Sequence, residues 1–274
     1  MATRIISAII ATAVAIFVLI FSDTLVLNLT LALIGAIIIR ELFIAEKCTE
    51  YKASYAICMI YVIAMPFLVI DIVRQHMSLF VAICVFALFM TFLLQHKTMS
   101  FSKLSFMITT SALVSLSLLF LIYIKNLDVT HGTFYIVIAL TSAWFGDAGA
   151  YFVGVTLGKH KLCPEISPKK TVEGAVGGVL STAILMNILV IVYAAIMKKD
   201  ILNINYIVVS IIGLVAPLLG ILGDLTASLI KRQCNIKDYG NIMPGHGGLL
   251  DRFDSVLFIT PFVYLMLSNF NIFR

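Results

Sequence analysis

"YIVVSIIGLVAPLLGILGDLTASLIKRQCNIKDYGNIMPGHGGLLDRFDS", residues 206 to 255, changes character halfway along. Its first part, 206–223, carries no charge at all. A helix rises about 1.5 Å per residue, so a run of this kind nearly crosses the roughly 30 Å hydrocarbon layer of a membrane. After Asp224 the text reverses. Lys231, Arg232, Lys237, Asp238, His246, Asp251, Arg252 and Asp254 crowd around a Gly-His-Gly-Gly turn. An apolar span that ends in a dense polar loop decides the class of the molecule, provided the rest of the chain is built the same way.

It is. Of 274 residues, 61% are hydrophobic and only 12% charged, and the mean hydropathy is +1.09. A soluble domain of this size has about twice the charge, so lipid is the solvent for much of this surface. A ruler of about 20 apolar residues per helix gives spans near 5–21, 24–40, 55–73, 78–95, 104–124, 133–156, 173–196, 206–223 and 252–269. The expected fold is an all-α integral membrane protein, a polytopic bundle of about nine transmembrane helices. Its first run is long, has no small-residue cleavage site behind it and leads straight into further helices, so it is expected to stay as an anchor.

With the N-terminus placed in the cytoplasm, fourteen of the 19 Lys and Arg fall on the inner side. Arg74, Lys125, Lys198, Lys199 and Arg274 fall on the outer side. That bias is the usual one for loops of membrane proteins. It puts the loops 157–172 and 224–251 in the cytoplasm and predicts an inner, plasma-membrane location. The net charge of +5 then reports topology, and no nucleic-acid partner is implied. Cys48, Cys58, Cys84, Cys163 and Cys234 show no metal-ligand spacing and read as apolar thiols.

Two regions differ in character. Residues 1–130 read as scaffold and lipid-facing helices, with Arg40, Glu41, Glu46 and Lys47 as interfacial anchors. Residues 131–274 hold acids inside helices and the two long inner loops, so the polar site is expected at the cytoplasmic boundary of this half. An ionised group inside a membrane is costly by about 2.5–3.5 kcal/mol and points to function. Asp147 lies inside the sixth span, Asp224 ends the eighth, and Asp251 and Asp254 open the ninth. Asp224, Ser228 and Arg232 are spaced to share one helix face, as are Asp251 and Asp254. Such carboxylates suit a hard divalent cation that keeps positions for water and phosphate.

The cations around them suit phosphate groups: Lys231, Arg232 and Lys237 in one loop, Lys159, Lys161, Lys169 and Lys170 in the other. Ser167 and Thr171 add hydroxyls. Gly245, Gly247 and Gly248 would let backbone amides approach an anion just ahead of a helix N-terminus. Gly154 with Gly158, and Gly174 with Gly178, are four apart and read as close helix packing. His160 reads as one more polar loop residue.

The stretch Ser228–Asp254 closely resembles the signature of phosphatidate cytidylyltransferases, or CDP-diacylglycerol synthases. That signature is S-x-x-K-R, four residues, K-D, then P-G-H-G-G, two residues, D-R-x-D. "GDAGAYFVG" and "LCPEISPKKTVEGAVGG" resemble two further conserved regions upstream. Ala227 stands where the family often has an acid, Met243 where a branched or aromatic residue is usual, and Val172 where Trp is common. The resemblance implies a Mg²⁺-dependent transfer between CTP and phosphatidic acid at the bilayer surface, with a second cation left open and a homodimer suggested. It implies Asp224 and Asp251 as metal ligands, supported by Asp254 and Asp147. Lys231 and Arg252 would act with Asp224 and Asp251 in catalysis. Ser228, Arg232, Lys237, Asp238, His246, Gly247, Gly248, Lys169, Lys170 and Ser167 would bind substrate. A CTP-dependent polyprenol or phytol kinase and a CDP-archaeol synthase-like enzyme are the alternatives, with a secondary transporter as the reading from another class.

Overall fold

The computed structural model describes residues 2–198, 201–242, 245 and 247–273, with side chains from residue 6 onward. Met243, Pro244, His246, Lys199 and Arg274, all used above, lie outside the described residues. The nine expected spans are all present as helices: α1 (Ala2–Ile20), α2 (Leu25–Ala45), α3 (Lys52–Ala64), α4 (Asp71–Leu94), α5 (Phe101–Asn126), α6 (Gly132–Leu157), α7 (Val172–Ile196), α8 (Tyr206–Gln233) and α9 (Leu250–Asn269). Among the described residues seven stretches are long and apolar enough to cross a membrane. The exceptions are α1, whose described apolar part is Ile6–Ile20, and α9, whose first turns hold Asp251, Arg252 and Asp254. Large apolar side chains such as Ile72, Phe86 and Leu94 are about three-quarters exposed, as a lipid-facing surface requires.

Three boundaries differ from the hydropathy reading. The third span does not run to 73. Pro66 lacks an N–H and the chain tightens into a 3₁₀ turn over Met65–Val69, after which α4 begins at Asp71. The eighth does not stop at 223. Ala227 and Ser228 are buried, so α8 continues through Lys231 and Arg232 although its apolar run has ended. The loop 157–172 is not structureless either. It holds a hairpin of β1 (Lys161–Cys163) and β2 (Ser167–Thr171), paired Lys161 to Thr171 and Cys163 to Ser167. Two more residues lie between the pairs on β2 than on β1, so Pro168, Lys169 and Lys170 bulge out of register.

Two compact units form: Met1–Tyr123 with Gln233–Arg252, and Ile124–Arg232 with Phe253–Arg274. The first has a core of Ile38, Ile39, Phe43, Leu104, Met107 and Leu118, all buried. Polar groups inside it are paired: Asn28 Nδ2 donates to the Pro66 carbonyl at 2.6 Å, and the Ser54 and Thr91 hydroxyls meet at 2.8 Å. In the second unit α6 and α7 pack through small residues. A methyl on Gly174 would come within 2.7 Å of the Ala150 carbonyl, and one on Gly178 within 2.7 Å of the Gly146 carbonyl. The four-residue glycine spacing therefore serves packing, as expected. In the same unit α8 approaches α9 as closely. Gly223 faces the backbone carbonyl of Asp254, and the Ser255 hydroxyl donates to the Gly220 carbonyl at 3.1 Å. This contact brings the level of Asp224 to that of Asp254.

Candidate active site

The expected site residues divide between the two units. The second unit holds Asp147, Ser167, Lys169, Lys170, Asp224, Ser228, Lys231, Arg232 and Asp254. A cavity of about 500 Å³ opens there between α6, the hairpin, the start of α7 and α8. Its charged lining is Asp147, Lys161, Lys169, Lys170 and Asp224. Three cations and two acids around one cavity is the balance needed to take a polyanion together with a metal ion.

Within that lining Lys170 Nζ meets Asp224 Oδ2 at 2.5 Å, both side chains being about one-quarter exposed. The other oxygen, Oδ1, accepts from the Ser228 hydroxyl at 3.2 Å, one helical turn along α8. Thus Asp224 and Ser228 do share a face. Arg232, one turn further, instead donates through Nε to the Ile166 carbonyl at 3.3 Å, at the turn of the hairpin. Asp254 is half-buried; its Oδ1 accepts from the Ser255 amide at 2.7 Å. Asp224, Asp147 and Lys231 all act on it electrostatically. The structure therefore gathers Asp147, Asp224 and Asp254 around one place, with Lys170 and Lys231 beside them. Ser167 is half-buried on β2 and Lys169 is exposed at the cavity rim.

The hairpin is anchored to α7 by residues that sequence reasoning treated as incidental. The Thr171 hydroxyl caps α7 by accepting from the Gly174 amide at 3.1 Å. Glu173 Oε2 accepts from the amides of Lys159 and His160, each at 3.1 Å, and its Oε1 meets His160 Nδ1 at 2.5 Å. The Val172 amide returns to the His160 carbonyl at 2.9 Å. His160 is thus part of the clasp that holds Lys161, Lys169 and Lys170 at the cavity. The signal was available: Thr171 followed by Glu173 and an apolar run is a helix start.

The first unit holds Lys237, Asp238, Gly247, Gly248, Asp251 and Arg252. Lys237, Asp238 and Arg252 are exposed. Asp251, expected as a metal ligand, is engaged in the turn. Its Oδ2 accepts from the Tyr239 amide at 3.1 Å and from the Gly248 amide at 2.9 Å. That Gly248 N–H, expected to face a phosphate, points to a carboxylate of the protein itself. Gly245 and Gly247 have φ of 81° and 87°, a backbone that side chains disfavour, and a methyl on Gly247 would also meet Asp251 Oδ2 at 2.9 Å.

Glu41, read from the sequence as an interfacial anchor, is 3% exposed and belongs to this turn. Its Oε1 accepts from the Leu249 amide and its Oε2 from the Leu250 amide, each at 2.8 Å. Those are orphan donors at the start of α9. The clue was negative: "GGLLDRFD" offers no Ser, Thr, Asp or Asn just before the helix, so its cap had to come from elsewhere.

Among the described residues no three His, Cys, Asp or Glu converge tightly enough to hold a metal unaided. Mg²⁺ does not need that. It usually takes one or two carboxylates and completes its shell with water and substrate phosphate, which fits the oxygen-only set of Asp147, Asp224 and Asp254.

The model of the cytidylyltransferase family matches residues 2–270. A phosphatidate cytidylyltransferase of Bacillus subtilis is 44% identical over 175 residues, covering 64% of this chain and 62% of that protein. Proteins of the same name from Staphylococcus saprophyticus and Staphylococcus aureus are 38% and 37% identical, over 65% and 63% of their lengths. The aligned part thus spans just under two thirds of each of these relatives. The family model covers nearly the whole sequence, and the chain belongs to the cytidylyltransferase family.

Proposed function

We propose that this protein is a phosphatidate cytidylyltransferase, converting CTP and phosphatidic acid to CDP-diacylglycerol and pyrophosphate in phospholipid biosynthesis. The observation that carries this reading is the cavity of the second unit, where Lys161, Lys169 and Lys170 face Asp147 and Asp224 at the end of apolar helices. A phosphate oxygen of the lipid attacks the α-phosphorus of CTP. The bond from that phosphorus to the bridging oxygen breaks, and pyrophosphate leaves with the electron pair. Such a transfer asks chiefly for alignment and neutralisation of charge.

Mg²⁺, when bound, supplies part of that neutralisation; Asp224 and Asp254 would hold it, with Asp147 beside them. Lys161 and Lys169 collect the triphosphate at the rim. Lys170, paired with Asp224, would be free to contact a phosphate with a cation held at that acid. Ser228 keeps the Asp224 carboxylate in orientation. In the first unit Lys237 and Arg252 are exposed cations of a kind suited to phosphate, and Asp251 shapes the glycine turn.

The location proposed is the plasma membrane, with the hairpin on the cytoplasmic side, where CTP is found; the support is the Lys and Arg bias. Single cysteines at positions 169 and 198, at opposite ends of α7, should then label from opposite faces. A homodimer is part of the reading and rests on the family resemblance; cross-linking in native membranes tests it.

The deciding experiment uses purified protein, phosphatidic acid, Mg²⁺ and CTP labelled at either the α- or the γ-phosphate. The α-label should enter lipid and the γ-label should leave as pyrophosphate. Lipid labelled from the γ-position would make the enzyme a kinase, and absence of labelled lipid from either nucleotide would defeat the proposal.

A further inference from the structure

Glu41 is a buried acid with a specific task. It lies near the end of the apolar helix α2 and is 3% exposed. Both of its carboxylate oxygens are used, one on the Leu249 amide and one on the Leu250 amide. The turn around it is shaped to admit it: a methyl on Gly240 would come within 2.7 Å of Oε1, and one on Gly248 within 2.7 Å of the same atom. A carboxylate facing the positive end of a helix is favourable, more so away from water. Next to this cap Asp251 takes the Gly248 and Tyr239 amides. Two acids, from α2 and α9, thus divide the amides of one turn: Asp251 closes the loop and Glu41 fixes where α9 starts.

From this geometry we infer that Glu41 is a positioning residue for the transfer reaction. It holds the Gly247–Arg252 segment in one register, so that Asp251 and Arg252 are presented in a fixed place. The inference rests on the cytidylyltransferase reading for its effect on rate, and on geometry alone for its effect on the turn. Nothing in it requires Glu41 to touch substrate.

The test is Glu41→Gln in the full chain, purified in detergent. A carboxamide has one acceptor oxygen and a donating NH₂, so one of the two amides loses its partner. Hydrogen exchange should rise at one of the two amides, Leu249 or Leu250, with little change along α2. Turnover should fall by about tenfold or more while the KM for CTP stays within about threefold, the pattern of a group needed for alignment rather than for uniform binding. Gly240→Ala is the second variant. It leaves the acid in place but pushes Oε1 off its amide, and it should reproduce the same split. Unchanged exchange at Leu249 and Leu250 in both variants would overturn the inference, and so would increased exchange with normal turnover. If the wild-type protein makes no CDP-diacylglycerol, the activity reading fails, and the exchange result alone decides whether Glu41 sets the turn.

Discussion

Lys170 of the hairpin and Asp224 of α8 form a close ion pair, Nζ to Oδ2 at 2.5 Å, in the lining of the one cavity that also holds Lys161 and Lys169. The pair sets the two neighbouring lysines apart. Lys169 is exposed at the rim and can only attract and hold an anion, whereas Lys170 is coupled to the acid proposed to bind metal. Lys169→Ala should raise the KM for CTP by several-fold with turnover nearly unchanged, since it removes largely uniform binding. Lys170→Ala should lower turnover as well, by about tenfold or more, because the reacting phosphate loses the cation that stands beside Asp224. Steady-state kinetics at saturating Mg²⁺ decide this, and equal effects of the two variants would count against distinct roles.

Removing charge from the acids themselves should be more severe. Asp224 and Asp147 both act electrostatically on Asp254, which lies where α8 and α9 touch. Asp224→Asn and Asp254→Asn are expected to insert normally and to lose product formation by about a hundredfold or more, in line with loss of a group that neutralises developing charge. Chelation of divalent ions should silence the wild-type enzyme, with recovery on adding back Mg²⁺. Full activity of either variant under chelation would remove the metal assignment.

Much of this architecture was legible because lipid imposes a simple rule. A run of some twenty apolar residues must be helical there, since unpaired backbone groups cannot be left in hydrocarbon, and all nine runs are helices. The hairpin escaped because "KLCPEISPKKT" has two prolines and no alternation of apolar and polar residues; it is held by the Glu173 clasp and not by its own pattern. The tail of α8 escaped because Ala227 and Ser228 are buried by tertiary contacts. Site residues carrying charge in unusual places, such as Asp224 and Lys170, could be read; their pairing could not. Glu41 was missed for the same reason, as its partners lie more than two hundred positions away in the chain.

Asp251 combines a hydrogen-bonding task with a charge, and one substitution separates them. In Asp251→Asn the side-chain oxygen can still accept from the Tyr239 and Gly248 amides, so exchange at these two positions should change little. If the negative charge also serves the reaction, turnover should fall by more than about tenfold, roughly 1.4 kcal/mol in the barrier. Asp251→Ala removes both functions and should free the two amides as well. Retention of turnover in Asp251→Asn would confine this acid to shaping the turn.

Close contact between α6 and α7 makes a packing prediction. Gly174→Ala would drive a methyl to 2.7 Å from the Ala150 carbonyl and 2.9 Å from the Thr171 hydroxyl that caps α7. Backbone cannot yield as a side chain can. The variant should lose about 1–3 kcal/mol of stability, the usual range for overpacking, read as a lower melting temperature in detergent. Val176, more than half exposed on the same helix, is the control: Val176→Ala should leave the melting temperature nearly unchanged.

The last prediction concerns thiols at the edge of the first unit. Burial, reinforced by the hydrogen bond from Sγ to Glu46 Oε2 at 3.2 Å, pushes the Cys234 thiol up to about 11. Burial likewise pushes Cys48 up to about 11, against the opposing charge of Lys103. Because the protonated form is the one favoured, thiolate appears only as pH climbs toward 11, instead of near the usual value of about 8.5. The thiolate is the form that reacts. Both cysteines should therefore alkylate slowly at pH 7.5 in the folded protein and speed up steeply above pH 10. Glu46→Gln removes the negative charge beside Cys234, so its thiol should titrate at lower pH and react faster at pH 8.5. Mass spectrometry after timed maleimide pulses reads each site separately. Reaction of Cys234 at the rate of an unfolded control near neutral pH would mean that the thiol is neither buried nor held by Glu46.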